Sequence, residues 1–148
     1  MSSSLNLIRV EGPQSDTVQQ VLETALLADL AETNLQGLNC QRMLALNSPT
    51  GELKGGIAGS TSYGWLLVKL LWVAPEIRNL GWGGRLLEQL ESDARELGCH
   101  DAWLDTSNSA AQAFYARHGY QCFGELANSE HRPLPGHRRW FMKKQLSP

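Results

Sequence analysis

The chain of 148 residues has little cysteine and no excess of positive charge. Its three cysteines, Cys40, Cys99 and Cys122, are far apart and odd in number, so they fit neither a disulfide framework nor a CxxC pair. The four histidines show no HxxxH or HxH spacing, and we expect no metal site. A net charge of −2 and a pI near 6.1 give no basic surface for nucleic acid, which we exclude as a partner.

Long apolar runs are also missing. Residues 1–12 lack the hydrophobic stretch of a signal peptide, and no window approaches the roughly 20 apolar residues of a membrane span. We therefore expect a cytoplasmic protein that does not bind membranes. Repeats, low-complexity blocks and linkers are absent too, and 42% hydrophobic with 19% charged residues suits one domain over residues 1–148.

Hydrophobic periodicity predicts strands and helices in the order β-α-β-β-β-α-β-α-β-β. The first helix is expected to start behind an N-cap at Ser15 or Asp16. The predicted strands cover residues 4–12, 65–73, 101–106, 120–126 and 138–146, with two more around a turn between 40 and 64. The predicted helices cover residues 15–34, 82–97 and 109–119.

The helix that starts near residue 82 has the clearest pattern. Glu91 and Arg95 are expected to pair on its solvent side, and Gly98 is a suitable C-terminal cap. Apolar residues recur on the opposite side at helical spacing. The predicted core face consists of Leu86, Leu87, Leu90, Ala94 and Leu97.

Three glycines, Gly81, Gly83 and Gly84, stand where this helix begins. Each glycine inside a helix costs roughly 0.5–1 kcal/mol relative to alanine, so the backbone must gain something there. Two interpretations fit: a tight turn, or free N–H groups that bind an anion at the positive end of the helix dipole. Arg78 adds a charge suited to phosphate. The chain has no GxxxxGK[ST] loop, and a GxGxxG fingerprint fails at Leu86.

Two stretches together resemble the motifs of the GCN5-related N-acetyltransferase (GNAT) family. The first is "LWVAPEIRNLGWGGRLL" (residues 71–87), which resembles the family's acetyl-CoA motif, including a V-x-P-x-x-R lead-in. The second is "NSAAQAFYARHGY" (residues 108–120), with asparagine, alanine, an aromatic pair and Gly-aromatic at the family's spacing. The resemblance implies an α/β (α+β) fold with a mixed, mostly antiparallel sheet of six to seven strands. Helices flank this sheet, which is splayed at the acetyl-CoA cleft.

The resemblance also implies how the acyl donor, acetyl-CoA, is bound. The main chain of Trp72 and Val73 would hydrogen-bond the pantetheine arm like an added strand, and the start of the glycine helix would receive the pyrophosphate. Asn108 either contacts the cofactor or caps its own helix. The residues assigned to the pyrophosphate are Arg78, Asn79, Leu80, Gly81, Trp82, Gly83 and Gly84.

In this family a neutral amine attacks the acetyl carbonyl, and the thiolate of coenzyme A leaves. Tyr115 matches the general acid, which donates a proton or a hydrogen bond to the sulfur. The general base is not part of the motifs, so several candidates stay open. They are Asp105, Glu125, His131, His137 and a chain of water molecules.

The expected activity is acetyl-CoA-dependent N-acetyl transfer to a primary amine of a small molecule. The first helix, the hairpin Tyr63–Trp65 and the loop 131–139 are expected to line the acceptor pocket. Two alternatives are a protein or peptide N-acetyltransferase and a non-catalytic acyl-CoA-binding module. The apolar strands at 65–73 and 138–146 make a homodimer possible.

Overall fold

The computed structural model describes residues 4–147 and divides into two compact units, with the division in the chain between Leu35 and Gln36. Residues 1–3 and 148, which the predicted single domain includes, lie outside the described part. The single domain itself stays a prediction. Each unit is described separately below.

The first unit contains one helix, α1 (Gln14–Thr33), after an irregular segment over residues 4–13. The strand predicted for residues 4–12 is therefore wrong. Strands are stabilised by cross-strand side-chain pairs, and a short alternating pattern alone does not form one.

The start of α1 also differs from the prediction. The helix begins at Gln14 behind Pro13, whose φ of −60° already suits a helix, and no side chain caps it. Neither Ser15 nor Asp16 is the N-cap. Instead, the Ser15 hydroxyl donates a hydrogen bond to the Gly12 carbonyl at 2.6 Å.

The second unit is built on one six-stranded mixed sheet with the order β1-β2-β3-β4-β6-β5. All neighbouring pairs are antiparallel except β3 and β4, which are parallel. This confirms the predicted fold class. The strands are β1 (Gln41–Asn47), β2 (Leu53–Ser62), β3 (Trp65–Val73), β4 (Asp101–Thr106), β5 (Gln121–Ala127) and β6 (Arg138–Gln145).

Two helices of the second unit connect strands: α2 (Trp82–Glu96) lies between β3 and β4, and α3 (Ser109–Arg117) lies between β4 and β5. A short 3-10 helix, Pro75–Ile77, follows β3. The apolar face of α2 is buried as predicted at four of its five positions, with Leu97 partly exposed. Complete burial of each leucine contributes about 1.5–3 kcal/mol. A Cβ added at Gly59 of β2 would lie 3.1 Å from Leu90 Cδ2, so this glycine lets α2 pack closely on the sheet.

Glu91 lies on the buried side of α2, so its predicted surface pair with Arg95 is wrong. Only 2% of Glu91 is exposed. Its carboxylate accepts hydrogen bonds from the Tyr120 hydroxyl at 2.8 Å and from Lys144 Nζ at 2.9 Å. Arg95 Nε instead donates to the Leu146 carbonyl at 2.7 Å. Residues four apart share a helix face, so Glu91 follows Leu87 into the core.

The parallel pairing of β3 with β4 stops after three residues. It joins Trp65–Leu67 to Asp101–Trp103, with Leu67 and Trp103 as the last partners. Beyond this point β4 stays paired with β6 as far as Thr106. The far half of β3 therefore separates from β4, and the sheet opens there.

A β-bulge in β3 coincides with this separation. Ala58 of β2 faces Leu70 and Gly59 faces Val68, so Lys69 is an extra residue without a partner in β2. Bulges bend a strand and increase its local twist. The bulge thus directs the end of β3 away from β4.

Candidate active site

A cavity of about 1010 Å³ lies where β3 and β4 separate. Its wall includes the end of β3, the start of α2, the end of β4 and one side of α3. The sequence-predicted site residues that line it are Asp105, Trp72, Val73, Arg78, Asn79, Gly81, Trp82, Gly83, Gly84, Asn108 and Tyr115. Leu80 does not line the cavity, and 67% of it is exposed.

The first turn of α2 presents unpaired N–H groups to this cavity. Gly81, the N-cap, has a left-handed φ of 88° and makes no side-chain capping bond. The first hydrogen bond into the helix runs from the Arg85 N–H to the Gly81 carbonyl at 3.1 Å. The N–H groups of Trp82, Gly83 and Gly84 precede it and have no acceptor within the helix. Together with the helix dipole they form a typical anion site.

The structure gives different reasons for Gly81 and Gly84, whereas a Cβ at Gly83 would make only an ordinary contact. Gly81 adopts a backbone conformation that residues with a side chain rarely take, and it has open space around it. A Cβ at Gly83 would lie 3.4 Å from the Phe114 ring. A Cβ at Gly84 would lie 2.8 Å from His118 Cε1, which is too close. Packing against α3 is therefore a third cause, besides the turn and the anion, that the sequence did not suggest.

Arg78 is tied to the strand that precedes it. Its Nε donates to the Val73 carbonyl at 2.8 Å, which fixes the guanidinium beside the start of α2. The Arg85 guanidinium lies 4.3 Å from the ring centroid of Trp82 on the same turn. Both arginines line the cavity, so its helix end carries positive charge.

Tyr115 of α3 lies in the cavity wall with only 7% of its surface exposed. Burial raises the pKa of its phenol to about 12. Its ring packs edge-on against Phe114 at 5.2 Å and Tyr120 at 5.7 Å between centroids. The hydroxyl has no hydrogen-bond partner among the described residues. Among the described residues, every fully buried polar side-chain atom has a hydrogen-bond partner. The Tyr115 hydroxyl has no partner, so it is not fully buried and is accessible from the cavity that Tyr115 lines.

Asn108 is the N-cap of α3, as one of the two predictions for it stated. Its Oδ1 accepts a hydrogen bond from the Ala111 N–H at 3.0 Å. The carboxamide oxygen is thus used for capping. The NH₂ group of the same side chain is the part that can bind a second molecule at the cavity wall.

Four side chains were candidates for the general base, and of these four Asp105 alone lines the cavity. Arg139 Nε lies 3.2 Å from its Oδ1. Glu125 forms an ion pair with Arg138 away from the cavity wall. His131 is exposed, and His137 Nε2 lies 3.0 Å from the Ser107 hydroxyl. The geometry therefore brings Asp105 together with Tyr115 and leaves the other three outside.

Sequence reasoning missed several residues of the cavity. The hairpin Tyr63–Trp65, expected at the acceptor pocket, lies at the start of β3, where β3 and β4 are still paired, and is outside this cavity. A lone lysine inside the apolar run "WLLVKLLWV" was the signal for one missed residue. The lining residues without a predicted role include Lys69, Arg85, Glu88, Arg117 and His118.

Residues 4–147 contain neither a metal-binding cluster nor a membrane-spanning helix. No three His, Cys, Asp or Glu side chains in this range are grouped closely enough to hold a metal ion. No described helix is both long and apolar enough to cross a membrane. The three cysteines all have free thiols.

Comparisons with known proteins assign a class to this open sheet and its uncapped helix start. The family model described as Acetyltransferase (GNAT) family matches residues 17–120. Acetyltransferase Atu2258 of Agrobacterium fabrum is 35% identical over 100 residues, which are 68% of this chain and 70% of that protein. Blasticidin-S acetyltransferase of Streptomyces morookaense is 43% identical over 97 residues, 65% of this chain and 68% of that one.

A solved structure supports the same assignment. An acetyltransferase from Bacillus cereus superposes with a TM-score of 0.75 at 25% identity, covering 93% of this chain and 97% of its own. The chain belongs to the GNAT family of acetyltransferases. It is an acyltransferase, and the acyl donor used by this family is acetyl-CoA.

Proposed function

We propose that this acetyltransferase transfers the acetyl group of acetyl-CoA to a primary amine of a small molecule. The observation that carries the proposal is the Tyr115 side chain: its ring is largely buried, and its hydroxyl has no hydrogen-bond partner among the described residues and is accessible from the cavity where the sheet opens. The similarity to blasticidin-S acetyltransferase, whose name gives a small-molecule acceptor, supports the choice of acceptor. A cytoplasmic location and a homodimer remain predictions.

The donor would be held by the end of β3 and the start of α2. The backbone of Trp72 and Val73 belongs to the half of β3 that has left β4, so this edge is open to an extended chain, except that the Val73 carbonyl already accepts a hydrogen bond from Arg78 Nε. The N–H groups of residues 82–84 suit a diphosphate, and Arg78 adds a fixed positive charge beside them. Bound acetyl-CoA supplies the activated acetyl group.

Tyr115 would stabilise the leaving sulfur mainly by donating a hydrogen bond. The pKa of its phenol is about 12, whereas a thiol has a pKa near 8.5. Complete proton transfer across this gap of about 3.5 units costs roughly 5 kcal/mol, so the proton stays on the phenol oxygen. A neutral donor held at the cavity wall would stabilise a developing thiolate without giving up its proton.

Asp105 would accept the proton that the acceptor amine loses, directly or through a water molecule. It lies at the end of β4, across the opening from β3. An alkyl ammonium has a pKa near 10 and must be deprotonated before it attacks. Arg139 Nε contacts one carboxylate oxygen, Oδ1, at 3.2 Å, and the second oxygen would take the proton.

The test compares Tyr115→Phe with the wild type in a thiol-release assay over a panel of small primary amines. We expect kcat to fall roughly 100-fold, because one positioned donor contributes about 10²–10³-fold. The dissociation constant of acetyl-CoA, measured by calorimetry, should change less than threefold.

The matched control is Tyr63→Phe, which makes the same chemical change at an exposed turn outside the cavity. It should keep wild-type turnover. Unchanged turnover in Tyr115→Phe would refute the role given to this phenol. Failure of the folded wild type to bind acetyl-CoA would refute the proposed function itself.

A further inference from the structure

Lys69 and Asp105 stand on opposite sides of the opening in the sheet. Each lies two residues beyond the last pair of β3 and β4, which joins Leu67 to Trp103. Both residues line the cavity. The backbone therefore places one ammonium and one carboxylate at corresponding positions on the two separating strands.

The local charge at this opening is not balanced. Asp105 already has Arg139 at 3.2 Å. Lys69 is exposed and has no ion pair or hydrogen bond with any residue in the described part of the chain. The other charged residues of the cavity wall, Arg78, Arg85, Glu88 and Arg117, belong to the segment after β3 and to the helices. Of the two charges that the separating strands bring to the wall, Lys69 is thus the one without a partner.

An acceptor with only an ammonium group would bring a second positive charge next to Lys69. Like charges at a few ångströms repel, and the repulsion grows as a bound substrate excludes water. A compound with a carboxylate beside its amine avoids this cost. Its carboxylate can bind the lysine, while its nitrogen faces Asp105.

We propose that Lys69 binds the carboxylate of the acceptor, and that the acceptor is an amino acid or a closely related amino carboxylic acid. The inference rests on the proposed function and specifies its acceptor. Lys69 is a specificity-determining residue in this arrangement and takes no part in bond formation. The bulge gives the side chain its place, because it puts one extra residue at the point where β3 leaves β4.

The experiment measures acceptor binding rather than turnover. Protein saturated with coenzyme A is titrated, by calorimetry, with α-amino acids of different side chains and with the amine formed by decarboxylation of each. The variants are Lys69→Gln and Lys143→Gln. Lys143 is an exposed lysine of β6 outside this cavity, so it controls for the loss of one positive charge.

We expect the wild type to bind at least one amino acid about tenfold more tightly than its decarboxylated amine, the size of one hydrogen-bonded charge pair. Lys69→Gln should abolish that preference, and Lys143→Gln should keep it. Equal or tighter binding of the amines, binding of neither series, or a preference that survives Lys69→Gln would overturn the proposal. If coenzyme A and acetyl-CoA both fail to bind, the proposed function fails as well, and this outcome is separate from the others.

Discussion

The His118 imidazole, at the C-cap of α3, lies against Gly84 in the first turn of α2. The imidazole occupies the space that a side chain at Gly84 would fill, and it also packs on Phe114 at 4.6 Å between ring centroids. A glycine in a phosphate-binding turn is usually explained by its ligand. Here the packing of α3 is an equally direct reason for a glycine at position 84.

This contact predicts coupling between Gly84→Ala and His118→Ala. Alone, alanine at a helical glycine gains roughly 0.5–1 kcal/mol. In the wild type the new methyl group must displace the imidazole, whereas in His118→Ala the space is free. We expect Gly84→Ala to be at least about 1 kcal/mol less favourable in the wild type than in His118→Ala, measured by urea unfolding. Equal effects in both backgrounds would show that the imidazole does not restrict this site.

Individual residues were predictable only where a motif or local geometry determines them. Tyr115 and the cap at Asn108 follow from the second motif, and the structure places both beside the cavity. Glu91 could not be found this way. Its environment depends on Tyr120 and Lys144, which are 29 and 53 residues away in the chain.

At the scale of elements, Glu91 links α2 to β6 through Lys144 and to the turn after α3 through Tyr120. The carboxylate has one partner at each oxygen, so its buried charge is compensated. Tyr120 is in turn part of the wall against which Tyr115 packs. The link therefore joins the core to the candidate site.

Adjacent lysines of β6 make the link testable. Lys144→Met leaves the Glu91 charge buried without its cation, and we expect a loss of about 3 kcal/mol in the free energy of unfolding. Lys143→Met changes an exposed side chain on the other face of the strand and should stay within about 0.5 kcal/mol. Urea unfolding of both variants gives the comparison. Similar losses in the two would mean that the ion pair does not stabilise the core.

Elements with strong patterns were predictable, and the exceptions have physical causes. All three helices and the six strands of the second unit lie close to the predicted ranges, because turn residues bound each pattern. The false strand at residues 4–12 had alternation without a cross-strand partner. The bulge at Lys69 could not be predicted from the sequence of β3, because the register of a strand depends on its neighbour.

For the whole molecule, the buried phenols predict lower stability at high pH. In the unfolded chain, tyrosines ionise near pH 10. Burial raises the pKa of Tyr115 to about 12, and burial with the nearby Glu91 carboxylate raises that of Tyr120 further. The folded protein holds these protons longer, so the stabilisation is complete below pH 10 and is lost as the pH rises toward 12.

The slope of this loss gives the measurement. Each raised phenol contributes about 1.4 kcal/mol per pH unit between pH 10 and its folded-state pKa. Tyr115→Phe removes one such group without leaving a partner unpaired, so its free energy of unfolding should fall less steeply over pH 10–12 than that of the wild type. Identical slopes would show that Tyr115 does not keep its proton on folding.

The bulge in β3 also determines which single-residue deletion the strand can accommodate. Deletion of Lys69 would leave a regular strand in which Val68, Leu71 and Val73 still face the core and every cross-strand pair with β2 survives. Deletion of a codon elsewhere in β3 would turn part of the strand over and expose its apolar face. An in-frame deletion of the Lys69 codon therefore removes the bend in β3 and leaves its pairing with β2 intact. Related genes that carry this deletion should encode folded proteins whose sheet lacks the opening.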